Sequence, residues 1–142
     1  MRLVAVGVSH HTASVEVRER LAVPPGHVAQ LLDQLRADRI GTEAVLISTC
    51  NRVELYAIAR DQIEVADLAS WLLHHRGLRG RTADQYLYRY TEKAALHHLF
   101  RVASSLGSMV LGEPQILGQV KEAYRMATAS KAAGPVMHRV MD

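Results

Sequence analysis

Cysteine occurs once in this 142-residue chain, at Cys50, and tryptophan and phenylalanine also occur once each. A single thiol excludes an internal disulfide framework and fits a reducing compartment. No apolar run approaches the roughly 20 residues that a membrane span requires. The opening Met1-Arg2-Leu3-Val4-Ala5-Val6-Gly7 is too short for a secretory leader and reads as a first strand. The expectation is therefore a cytoplasmic protein. No G-x-G-x-x-G follows a strand-like segment, so no dinucleotide fingerprint is legible. Internal repeats and low-complexity tracts are missing as well. Lysine is scarce: of 17 basic residues, only Lys93, Lys121 and Lys131 are lysines. The net charge of +3 is a mild basic excess, compatible with a nucleic-acid partner without establishing one.

What is present describes a globular chain. Apolar residues make up 49% and charged residues 22%, and the length suits one domain, residues 1–142, with a real core. Leu3 to Ser9 reads as a strand. Ser14 is placed to cap a short helix through Leu21, and Pro24-Pro25-Gly26 then breaks the chain. From His27 to Arg36 a helical period returns, with Val28, Leu31, Leu32 and Leu35 inward. Glu43 to Ser48 and Val53 to Ile58 read as two strands, the second alternating apolar and polar as a strand with one covered face does. Asp61 opens a helix with the stripe Ile63, Ala66, Leu68, Trp71 and Leu72, ended by Gly77 and Gly80. Tyr86 to Tyr90 reads as a fourth strand. Helices over Glu92 to Ser105 and Pro114 to about Ser130 follow, and Val136 to Asp142 opens a further element. The order β-α-β-β-α-β, with helices on one face, predicts an α+β fold of the ferredoxin-like kind with added C-terminal helices.

Cys50 sits where an apolar run gives way to polar chain. Thr49 to Arg52 are few enough for a tight hairpin, and Asn51 tolerates a positive φ in such turns. A thiol at a hairpin tip can reach a ligand; one inside a strand cannot. Arg52 is placed to favour the thiolate and to hold a carboxylate by a two-pronged contact. Against this stands the ordinary fate of a lone cysteine, an inert buried residue. Helical phase separates two adjacent histidines. His97 shares a face with Lys93 and Arg101 and is solvated, whereas His98 lies beside Ala94, Ala95 and Val102 on the side to be buried. His10 and His11 point apart in an extended chain, so they read as loop residues and not as metal ligands.

Three segments together resemble the glutamyl-tRNA reductase family. They are Ser48-Thr49-Cys50-Asn51-Arg52-Val53-Glu54-Leu55-Tyr56, Gly7-Val8-Ser9-His10-His11-Thr12-Ala13 with Arg18-Glu19-Arg20, and Leu111-Gly112-Glu113-Pro114-Gln115-Ile116-Leu117-Gly118-Gln119-Val120. They stand in the family's order over nearly the whole chain. The resemblance implies a catalytic domain in which the Cys50 thiolate attacks the ester of glutamyl-tRNA to give a glutamyl thioester. It implies a catalytic role for His98 over His97, in polarising a carbonyl or orienting the thiolate. Substrate contacts are implied at Thr49, Cys50, Asn51, Arg52, Ser108, Glu113, Pro114, Gln115 and Gln119, with Arg52 on the glutamate carboxylate. Two departures stand out: Ser14 replaces a common proline, and Gly107 replaces a common acidic residue ahead of Ser108.

The family's reaction continues by hydride transfer from NADPH to give glutamate-1-semialdehyde, for tetrapyrrole biosynthesis. The resemblance places NADPH binding and homodimerisation in domains outside this sequence, so the fragment is expected to be monomeric and to form or hydrolyse the thioester only. Glutamate-1-semialdehyde aminomutase is the implied downstream partner. Rival readings are weaker. An RNA-recognition module stacks bases on its third strand, which offers only Tyr56. A regulatory domain would tolerate loss of the thiol. A cysteine hydrolase lacks its usual context around Cys50.

Overall fold

The computed structural model describes residues 1–78, 84–103, 116–129 and 131–141, and of residues 116–119, 140 and 141 the backbone alone. Strand β1 (Arg2–Ser9) leads to helix α1 (Val15–Leu21), a 3-10 turn (Pro25–His27) and helix α2 (Val28–Ala37). Strands β2 (Gly41–Ser48) and β3 (Arg52–Ala59) form a hairpin, followed by helix α3 (Val65–His75) and strand β4 (Tyr88–Thr91). Helices α4 (Lys93–Ala103), α5 (Ile116–Ala129) and α6 (Pro135–Met141) complete the described chain. The sheet has the order β2-β3-β1-β4, and every neighbouring pair is antiparallel. The architecture is α+β.

Local chemistry explains most boundaries. Ser14 caps α1 as its sequence position predicts, its Oγ accepting from the Val17 N–H. Helix α3 begins at Val65 and not at Asp61, because Glu64 and Asp67 form a reciprocal capping box and Glu64 is extended. Ala66, expected inward, is exposed, and Ala69 is buried in its place. Gly77 ends α3 at φ +72, where the Leu78 N–H reaches back to the Leu73 carbonyl at 2.8 Å. Gly80 lies outside the described residues. Helix α4 starts after Glu92, which is left-handed at φ 52 and so stands outside it.

Arg39 ends α2 in the same manner at φ 59, with the Ile40 N–H on the Leu35 carbonyl. A side chain there carries steric strain of roughly 1 kcal/mol that glycine lacks, partly offset by glycine's freer unfolded chain. Arg39→Gly is therefore expected to stabilise the fold by about 0.5 kcal/mol. A urea midpoint that stays put or falls would contradict this.

The added C-terminal helices cover the face of the sheet opposite α2, and this second cover governs the site. Cross-strand partners point to the same side of a sheet. Register therefore sorts Val4, Val6, Val8, Leu46, Val53, Leu55 and Ala57 to one face. Gly7, Ile47, Arg52, Glu54, Tyr56, Tyr88 and Tyr90 fall on the other. Helix α2 covers the first face, where Leu35 approaches Gly41 and the Val23 N–H reaches the Ser48 hydroxyl. The Trp71 indole N–H donates to Asp38 at 2.8 Å and ties α3 to the end of α2. The second face is covered by α4 and α6. Glu43 on β2 accepts the Gly134, Val136 and Met137 N–H groups, which pins α6 to the sheet. All eight residues of β3 are consequently buried, where the alternating pattern predicted one solvated face. Two helices separate β1 from β2, as the sequence reads, and β4 begins at Tyr88 and not at Tyr86.

Candidate functional site

The β2–β3 connection is built around a threonine. The Thr49 hydroxyl accepts from the Asn51 and Arg52 N–H groups at 3.1 Å each, and the Thr49 N–H donates to the Arg52 carbonyl at 2.8 Å. This side-chain tie closes the turn without a left-handed residue, so the positive φ expected at Asn51 is not used. The His10 N–H donates to the Asn51 carbonyl at 3.0 Å, which fastens the loop after β1 to the same turn. Cys50 stands at the tip with its thiol exposed. It is not the inert core cysteine of the ordinary reading.

Arg52 behaves differently from its expected place beside the sulfur. Its side chain is 3% exposed and lies on the covered face of the sheet, Nη1 at 3.4 Å from Glu54 Oε2. Glu54 is the centre of the cluster. Its Oε1 accepts from the Tyr56 hydroxyl at 2.8 Å. Its Oε2 takes the Tyr88 hydroxyl, His98 Nε2 and Arg52 Nη1. His98 is held on two further sides by aromatic rings, Tyr90 stacked at 4.5 Å and Tyr88 at 5.0 Å between centroids. His97 is exposed, as helical phase predicts, and so is Ala94.

Gly7 makes this convergence possible. Both Glu54 and Tyr88 are its cross-strand partners, so the bond between them passes over Gly7. A Cβ there would lie 2.9 Å from the Glu54 Cγ and 2.6 Å from the Val53 carbonyl oxygen. Only glycine leaves room for the carboxylate.

Burial alone would push the Glu54 carboxyl up, but the hydrogen bond and charge of His98, the Tyr88 hydroxyl and the Arg52 charge outweigh it and hold the carboxyl below its ordinary range. Burial, then the charge of Glu54, raises Tyr56 and Tyr88 well above the usual phenol range. A depressed carboxyl contributes stability above its unfolded value of 4.5 and loses it as pH falls through the folded value. A raised phenol contributes stability below its unfolded value of 10.0 and loses it as pH rises through the folded value. Stability from this cluster is thus expected to hold between those limits and to fall on either side. Of the five tyrosines, two should stay un-ionised in a phenolate absorbance titration until the alkaline unfolding step. Ionisation of all five in the folded protein would refute the arrangement.

Of the residues singled out in the sequence, Thr49, Cys50, Asn51 and Arg52 share the turn, and Glu54 joins Arg52 to His98. Ser108, Glu113, Pro114 and Gln115, with Gly107, lie outside the described residues, and Gln119 is described in its backbone only. Glu54, Tyr56, Tyr88 and Gly7 were not picked out as site residues. Their signal was the spacing Arg52-Glu54-Tyr56, three polar side chains on one strand face. Among the described residues no group of three potential ligands could hold a metal ion. No helix among them is long and apolar enough to cross a membrane.

The sequence recurs in curated proteins, and the arrangement of chain in a solved structure. A glutamyl-tRNA reductase of Pelobacter propionicus is 45% identical over 142 residues, covering 99% of this chain and 33% of that protein. One from Geobacter sulfurreducens is 46% identical over the same length and the same shares. The solved glutamyl-tRNA reductase of Methanopyrus kandleri superposes with a TM-score of 0.79 at 31% identity, over 98% of this chain and 31% of that one. The chain thus spans about a third of the length of the relatives it matches. The family profile described as glutamyl-tRNAGlu reductase, N-terminal domain, matches residues 6–142, taking in the turn of Cys50, the strand of Glu54 and the helix of His98, and this chain belongs to that family.

Proposed function

We propose that the chain is the catalytic domain, residues 1–142, of a glutamyl-tRNA reductase, and that Cys50 is its nucleophile. The observation that carries this reading is the exposed thiol at a braced hairpin tip beside a buried Arg-Glu-His cluster. The Cys50 thiolate attacks the ester carbonyl of glutamyl-tRNA, the carbon–oxygen bond to the terminal ribose breaks, and the tRNA leaves as the alcohol. A glutamyl thioester remains on the protein. Arg52 binds the glutamate side-chain carboxylate, and Glu54 acts as a positioning residue that holds the guanidinium. Glutamine is rejected because its amide offers no charge to that guanidinium.

His98 is the acid–base partner of the site. With Nε2 donating to Glu54, Nδ1 is the nitrogen left to exchange a proton, and Tyr88 and Tyr90 hold the ring in place. Thr49 and Asn51 shape the turn around the thiol. Ser108, Glu113, Pro114, Gln115 and Gln119 supply the remaining substrate contacts on the family resemblance. The sheet order and the antiparallel neighbours support a ferredoxin-like reading, with one helix added between β1 and β2 and three at the end.

NADPH is the hydride donor of the complete reaction, but the described residues do not fit it. The loop from β1 to α1 runs Ser9-His10-His11-Thr12-Ala13-Ser14 without a glycine on which a pyrophosphate could rest. No reductive step is derived from this chain, whose own share ends at thioester formation and slow hydrolysis. Further parts of the reading are a cytoplasmic setting, a homodimeric full-length enzyme with a monomeric isolated fragment, and an aminomutase that takes up glutamate-1-semialdehyde. The test is to mix the protein with glutamyl-tRNA carrying labelled glutamate. Label should remain on the protein in a bond that hydroxylamine cleaves, and its absence would sink the nucleophile.

A further inference from the structure

The side chains of His10 and His11 play no part in the site described so far, yet the structure builds the pair with care. The Ser9 carbonyl accepts from the Thr12 and Ala13 N–H groups at 3.0 Å each, the Ser9 hydroxyl accepts from the His11 N–H at 3.2 Å, and the Thr12 hydroxyl accepts from the Ser9 N–H at 3.0 Å. The two imidazoles, expected to point apart, lie with centroids 3.9 Å apart and planes tilted by 41°. His10 is half-buried beneath and His11 is exposed above it. Packing accounts for the lower ring but not for the exposed upper one.

Position gives the pair a meaning. Ser9 and Arg52 are cross-strand partners, and the next residues outward, His10 and Asn51, are joined by a hydrogen bond. One residue further on each chain come His11 and Cys50, both exposed, on loops that leave strands spaced about 5 Å apart. An aminoacyl-tRNA carries its ester on the ribose of a terminal adenosine, so the adenine hangs from the same sugar as the carbonyl that Cys50 attacks. Any pose that brings this carbonyl to the sulfur sets the base one sugar away. Histidine faces are among the surfaces on which unpaired bases stack.

We propose that the His11 ring, supported by His10, is the stacking seat for the terminal adenine of the aminoacyl-tRNA. This rests on Cys50 being the nucleophile, and it adds a recognition element for the nucleoside half of the ester. Acylation of Cys50 would be followed by mass spectrometry in wild type, His11→Ala and His11→Phe. Three donors are compared: glutamyl-tRNA, 3′-O-glutamyl-adenosine, and glutamate α-thiobenzyl ester, which has no nucleoside. His11→Ala should slow both adenosine-bearing donors by about tenfold. It should slow the thiobenzyl ester less than twofold, and His11→Phe should recover most of the loss. Equal slowing on all three donors, or none on any, overturns the stacking seat while leaving the nucleophile intact. Failure of every donor to acylate wild type overturns the nucleophile itself, and the seat with it.

Discussion

Replacing Cys50 with alanine is expected to abolish retention of labelled glutamate while leaving the fold unaltered. The thiol is exposed at a turn whose hydrogen bonds come from Thr49, Asn51 and Arg52, so nothing structural rests on the sulfur. Stability should stay within about 0.5 kcal/mol of wild type. Retained label should fall to background, because no other cysteine exists to take the acyl group. Cys50→Ser sharpens the test. A hydroxyl is a far weaker nucleophile at neutral pH and a worse leaving group, so any label it captures should resist hydroxylamine under mild conditions. Label that persists on the alanine variant would transfer the chemistry to another side chain.

Glu54→Ala is expected to have the opposite profile, a large loss of stability. The carboxylate is 1% exposed and accepts from four side chains at once: Arg52, Tyr56, Tyr88 and His98. Removing it takes the carboxylate from a buried guanidinium and leaves buried hydroxyls without this acceptor, at a cost of about 3–5 kcal/mol. Against a total stability of roughly 5–15 kcal/mol, that brings the domain near its threshold. Glu54→Gln keeps an acceptor oxygen but drops the charge, so it should lose less. Pairing Glu54→Leu with Arg52→Met removes both charges together and should recover part of the deficit. A urea midpoint for Glu54→Ala within about 1 kcal/mol of wild type would mean that the cluster is not coupled as the geometry indicates.

These two residues also mark how far the chain could be read. The turn around Cys50 was legible because a thiol between two strand-like runs has few places to go but a hairpin tip. His98 was legible by helical phase, since residues four apart on a helix share a fate. Glu54 was not. In Val53-Glu54-Leu55-Tyr56 the polar positions look solvated, and alternation alone cannot say whether a second layer of helices covers them. Arg52 was legible as a neighbour of the thiol but not in its direction, because an exposed neighbour and a buried pair have the same spacing. The αL ends at Arg39 and Lys131 and the cap at Glu64 escaped notice for a simpler reason: the side chains at those positions are not the usual ones.

By itself the sequence determined the strands, most of the helices and the exposed thiol, since period, capping and turn chemistry act over a few residues. The tertiary structure alone decided that both faces of the sheet are covered. From this follow the burial of Arg52 and Glu54 and the meeting of three strands and a helix over Gly7. Such contacts join residues up to 94 positions apart, as Met137 to Glu43, and local pattern carries no record of what will pack above a strand.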